Sequence, residues 1–221
     1  PRFPFLIKTL SATQWLSVQV HPDNSYAKKN EKGEPWGKNE MWYVLDAEDD
    51  AQIINGINNI ASKKDMLDAI ENGTLEKQLN YTKIKKEDLI YLQAGKVHAL
   101  GPGSLILEIQ QTSNITYRMF DWGRDRELHA KKGSEVINYR YPQADIKENF
   151  SEFRNDYFYT YKKQFNGEYA QGFCVLITLE DIQIDEFECR KYFPVIIPQD
   201  SKVKITGTCI VVQPGRWWER H

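Results

Sequence analysis

The chain has 221 residues, enough for one or two small domains with a buried core. Hydrophobic residues make up 41% of it, which excludes a disordered chain. Lysine and arginine number 29 against 31 aspartates and glutamates, and the formal net charge of -2 leaves no electrostatic footprint for nucleic acid or an anionic membrane.

No apolar run approaches the roughly 20 residues of a membrane span. The chain starts at Pro1 with no Met and no signal-peptide pattern, so sequence upstream is expected. Cys174, Cys189 and Cys209 are odd in number and widely spaced, without zinc or disulfide spacing. They read as three buried thiols in a reducing, cytoplasmic compartment.

The first informative stretch is Ser17-Val18-Gln19-Val20-His21-Pro22-Asp23. Its alternation predicts a strand with Val18 and Val20 on one face and Ser17, Gln19 and His21 on the other. A long polar loop over 23–37 leads to a second alternating strand, Asn39-Glu40-Met41-Trp42-Tyr43-Val44-Leu45, with Glu40, Trp42 and Val44 on one face. Antiparallel pairing of these two strands is expected to bring Glu40 near His21. A strand over 53–57 follows. Ser62-Lys63-Lys64-Asp65 then resembles a capping box with Asp in place of Glu, and Met66, Leu67 and Ile70 recur at helical spacing until Asn72-Gly73. With a shorter helix over 75–79, this reads as a surface insertion on a β core.

Strands over 89–92 and 105–109 flank a glycine-rich turn, Gln93 to Gly101, that carries His98. If Glu108 points inward it needs a partner, because a lone buried charge is costly, and Arg118 is the natural one. Many short strands separated by Gly, Pro, Asn and Asp turns predict a mostly β fold, a barrel or sandwich over 1–141. Residues 142–221 read as a polar linker followed by a second, smaller β unit, with strands over 157–161, 174–178, 194–197, 202–205 and 209–212. Gln19, His21, Glu40 and His98 together offer an amide oxygen, two imidazoles and a carboxylate, a set that suits a divalent metal, most simply zinc.

Four motifs in this order carry a family resemblance: Leu16 to Asp23, Gly37 to Trp42, Ala94 to Ala99, and Glu108-Ile109-Gln110-Gln111 followed by Tyr117-Arg118. They resemble the class I mannose-6-phosphate isomerases in their short bacterial form, well over residues 4–140 and more loosely beyond. The resemblance implies a cupin-type β-barrel (a jelly roll) with one zinc per chain, bound by Gln19, His21, Glu40 and His98. It implies interconversion of D-mannose 6-phosphate and D-fructose 6-phosphate through a cis-enediol, as part of mannose metabolism. The family's active-site arginine falls on Arg118, its lysine before the metal-binding Glu on Lys38, and the serine on the phosphate side on Ser17.

Arg118, Lys38 and Glu108 are thus the expected catalytic residues, and Ser17 and Lys38 the expected substrate contacts. The expected partner is a sugar phosphate, with neither nucleic acid nor membrane, for a monomer or homodimer. Two departures stand out. The family has several strands before the first motif, and this chain opens almost at that motif. The family's Asp four residues before the arginine is Asn114 here. Both keep open a cupin that binds a metal and a sugar phosphate without converting it. An iron-dependent cupin dioxygenase is the further alternative, and Gln19 with the flanking cations favours the isomerase over it.

Overall fold

The structure, a computed structural model, describes residues 2–218; of 169–171 it describes the strand backbone alone. The chain divides into two units, Pro1–Asn149 and Phe150–His221.

In the first unit the order is β1 (Phe5–Ala12), β2 (Val18–Val20), α1 (Asn24–Asn30), β3 (Glu40–Ala47), β4 (Gln52–Ile57) and α2 (Lys63–Glu71). After a 3-10 turn (Leu75–Gln78) come β5 (Leu79–Lys83), β6 (Leu89–Leu92), β7 (His98–Leu100), β8 (Ser104–Gln111), β9 (Tyr117–Phe120), α3 (Ala130–Val136) and β10 (Asp145–Lys147). The strands form two five-stranded sheets, ordered β1-β8-β3-β6-β10 and β5-β4-β7-β2-β9. They face each other across a core that takes Trp42, Val44, Ile90, Leu92 and Ile106 from one sheet and Ile53 and Leu100 from the other. The alternate residues of the second sheet, among them Val18, Val20, Ile54, Ala99 and Met119, pack against Met66 and Ala69 of α2. This is the mostly β, cupin-type architecture expected.

The α2 insertion is built as its sequence suggests. The Ser62 side chain accepts the Asp65 amide at the N-terminus, and Gly73 at φ 65 turns the chain out at the other end. The polar loop over 23–37 is not wholly a loop. It carries α1, capped by Asp23, which buries only Ala27 and so shows no apolar periodicity to read. The same holds for α3, whose buried residues are Gly133 and Ser134. The expected pairing of the two motif strands does not occur: β2 pairs with β7 and β9, while β3 pairs with β6 and β8. The segment read as a linker from 142 contains β10, paired to β6, so the first unit runs on to Asn149.

The second unit comprises β11 (Glu152–Arg154), β12 (Phe158–Gln171), β13 (Cys174–Thr178), β14 (Ile182–Ile184), β15 (Phe187–Cys189), β16 (Pro194–Ile197) and β17 (Lys202–Pro214). These form one seven-stranded sheet around Phe165, Leu176, Ile184, Ile205 and Val211. The two strands expected over 202–205 and 209–212 are one, because the chain continues through Gly207 at φ 135, where a Cβ would run into Ile182. All three cysteines are free, and Cys189 is only partly buried.

Candidate metal centre

Alternation on facing strands concentrates polar side chains at one end of the sandwich. On β3, β8 and β1 the inward positions include Glu40, Trp42, Glu108, Gln110 and Lys8, with Trp42 opposite Glu108 and Glu108 opposite Lys8 in register. On the opposing sheet Gln19 stands between His98 of β7 and Arg118 of β9. His21 follows directly after β2. Glu40 therefore meets His21 and His98 across the sandwich, face to face rather than along a ladder.

His21, Glu40 and His98 are all buried, and each offers a ligand atom within 4.8 Å of the others. His21 Nδ1 lies 2.8 Å from the Ile115 carbonyl and His98 Nδ1 3.0 Å from the Lys96 carbonyl. A carbonyl only accepts, so both rings carry the proton on Nδ1 and turn an Nε2 lone pair inward. These Nε2 atoms stand 3.5 Å and 2.9 Å from Glu40 Oε1. The Gln19 amide reaches to 3.1 Å from His98 Nε2. Lys38 Nζ is 3.0 Å from Glu40 Oε2, yet neither carboxylate oxygen accepts a hydrogen bond, and His21 Nε2 has no partner. Lone pairs and an unsatisfied carboxylate converging in a buried space are costly unless a cation sits among them. The donor set thus fits a metal held by His21, Glu40 and His98 with Gln19 beside them.

The charges agree. Burial, with Lys38 adding to it, lowers the His21 pKa to about 4, so the ring is neutral and free to ligate at neutral pH. Burial alone would raise the Glu40 carboxyl, but Lys38 and His21 hold it well below the usual range. Lys38 could shuttle protons only if its pKa were lowered. Burial does push it down, but Glu40 and Glu108 outweigh this and raise it, so Lys38 keeps its proton.

The expected Glu108–Arg118 pair is absent. Glu108 Oε1 accepts Lys8 at 2.7 Å and Oε2 accepts the Trp42 indole at 2.9 Å. Arg118 donates from Nη1 to the Glu127 carbonyl at 2.8 Å, and its buried Nε has no acceptor. The two residues sit on different sheets, which sequence order does not reveal. Ser17 is buried just ahead of β2, on the Gln19 face, and its side chain makes no hydrogen bond to the cluster. Asn114 is exposed. Sequence reasoning missed Lys8, which donates to both Glu108 and Gln110. Its signal was a lone lysine in the inward series Leu6, Lys8, Leu10, Ala12.

Fold and site define a cupin-type protein with a buried metal-ligand cluster. The chain is similar to relatives of one kind. A model of the phosphomannose isomerase type I catalytic domain matches residues 1–49. Mannose-6-phosphate isomerase ManA of Bacillus subtilis (strain 168) is 47% identical over 142 residues, 62% of this chain and 44% of ManA. The YvyI protein of the same organism is 34% identical, aligned over 96% of this chain and 74% of its own length. A crystal structure of the mannose 6-phosphate isomerase from Bacillus subtilis superposes with a TM-score of 0.80 at 34% identity, over 96% of this chain and 76% of that one. This chain belongs to the mannose-6-phosphate isomerase family. Its match to ManA spans less than half of that protein's length.

Proposed function

We propose that this protein is a zinc-dependent aldose–ketose isomerase that interconverts D-mannose 6-phosphate and D-fructose 6-phosphate by moving a proton between C1 and C2 through a cis-enediol. The observation that carries the proposal is the buried cluster of His21, Glu40 and His98 with the half-buried Gln19 beside it, flanked by Lys38, Glu108 and Arg118, in a chain of this family. The two imidazoles, one carboxylate and one amide oxygen suit zinc, one ion per chain. When bound, the ion supplies Lewis-acid polarisation of the sugar carbonyl.

The chain's own residues divide the remaining work. Arg118 cannot act as a base, since a guanidinium stays protonated, so it stabilises negative charge developing on the sugar oxygens. Lys38, held as a cation by Glu40 and Glu108, binds a substrate oxygen. Glu108 is then the proton carrier, because Glu40 is committed to the metal cluster. Lys8 and Trp42 fix both Glu108 oxygens, which orients the carboxylate. Ser17 contacts the phosphate, and binding at that remote end holds the sugar in a reactive geometry.

One observation favours a second reading, binding without conversion: Asn114 stands where the family's carboxylate is expected. A coupled assay on mannose 6-phosphate, with and without a chelator, separates the two. Turnover that disappears with the metal supports the isomerase, and metal-dependent binding without turnover supports the second reading.

A further inference from the structure

The β9 strand lies at the edge of its sheet, so every second residue turns its backbone groups away from β2 with no strand to receive them. Arg118 is one of these. Its carbonyl accepts the His129 amide at 2.7 Å, and its own N–H donates to His129 Nδ1 at 3.1 Å. An amide can only donate, so the imidazole presents an Nδ1 lone pair and carries its proton on Nε2. The single residue His129 thus does what a neighbouring strand would do, with its ring nitrogen in place of a carbonyl. Two residues earlier, the Glu127 carbonyl takes Arg118 Nη1.

His129 is also the residue that caps α3, and its side chain makes no capping hydrogen bond there. Ser, Thr, Asp or Asn at that position would satisfy a free helix amide. The ring leaves this undone and serves Arg118 instead.

We propose that His129 is a positioning residue for Arg118, completing the sheet edge at the one backbone position that carries the charge-stabilising guanidinium. The consequence for turnover rests on the isomerase reading; the hydrogen bond does not. Displacement of a charge-stabilising group by a fraction of an ångström acts on the transition state more than on substrate binding.

Two measurements test this in the full chain. In nitrogen-15-labelled protein, a scalar coupling across the N–H···N bond between the Arg118 amide and His129 Nδ1 is expected; its absence, or a proton on Nδ1 at neutral pH, overturns the placement. The second uses His129→Ser, which supplies the missing helix cap. Unfolding temperature is expected to hold or rise, while kcat falls about tenfold at unchanged KM. In an Arg118→Ala background the same substitution is expected to cost nothing further. An unchanged kcat, or a loss that multiplies with Arg118→Ala, overturns the positioning role. If the parent protein shows no isomerase activity, that reading fails, and the coupling still decides whether His129 holds Arg118.

Discussion

At the scale of the residue, the cluster is organised by which nitrogen of each histidine faces a carbonyl. With Nδ1 of His21 and His98 tied to main-chain oxygens, both Nε2 lone pairs are left for a cation. Replacing His98 by Ala is expected to remove bound metal and isomerase turnover together, as read by elemental analysis and a coupled assay on one preparation. Glu108→Gln keeps the carboxylate's shape but not its proton affinity. It is expected to retain the metal and lose about a hundredfold or more in kcat. The metal-free protein has a further signature. The His21 imidazole titrates at its ordinary 6.5 when unfolded and at about 4 when folded, because burial disfavours its charged form. Between those values the unfolded chain binds more protons, so stability falls as pH drops from 6.5 toward 4, by up to about 3 kcal/mol. The Glu40 contribution is lost in the same direction, since its carboxyl is held low. Urea unfolding across this pH range is the measurement. Much of this was legible in the residues: Gln19 and His21 follow from strand alternation, and Glu40 and His98 from their motifs. The partners of Glu108 were not, because Lys8 and Trp42 reach it through ladders between strands far apart in the chain.

At the scale of the element, the turn between His21 and Glu40 does the assembling. Gly37 lies against the main chain of Pro22 and Asp23, and Lys38 donates its amide to the Pro22 carbonyl. This stitch carries the chain from one sheet to the other, so that Glu40 enters β3 opposite the histidines. A Cβ at Gly37 would collide with backbone atoms that have no rotamer to escape into. Gly37→Ala is expected to destabilise the protein by about 1–3 kcal/mol and to weaken metal binding, read by thermal unfolding with and without added zinc. Elements with a strong buried face, such as α2 with Met66 and Ala69, announced themselves in the sequence. Those that bury almost nothing apolar, α1 and α3, did not, since a helix held by its cap and its neighbours leaves no periodic mark. That the two motif strands lie in different sheets is not legible in the sequence for a related reason. Alternation states which side chains share a face, and says nothing about whether that face meets its partner within a sheet or between sheets.

At the scale of the molecule, the two units differ in what they carry. Among the described residues, the one cluster of metal-ligating side chains lies in the first unit. No described helix is long and apolar enough to cross a membrane. The family's motifs end at Arg118, within the first unit. One metal ion per full chain is therefore expected on elemental analysis, and two would require a ligand set outside this cluster. The dependence of sugar-phosphate isomerisation on a metal held by the buried His21, Glu40 and His98, with the half-buried Gln19 beside them, underlies the proposed function. It is tested most directly by assaying conversion of mannose 6-phosphate to fructose 6-phosphate on one preparation before chelation, after chelation and after zinc is restored, with metal content measured each time. Turnover is expected to disappear with the metal and to return with it. Full turnover in metal-free protein would contradict this dependence.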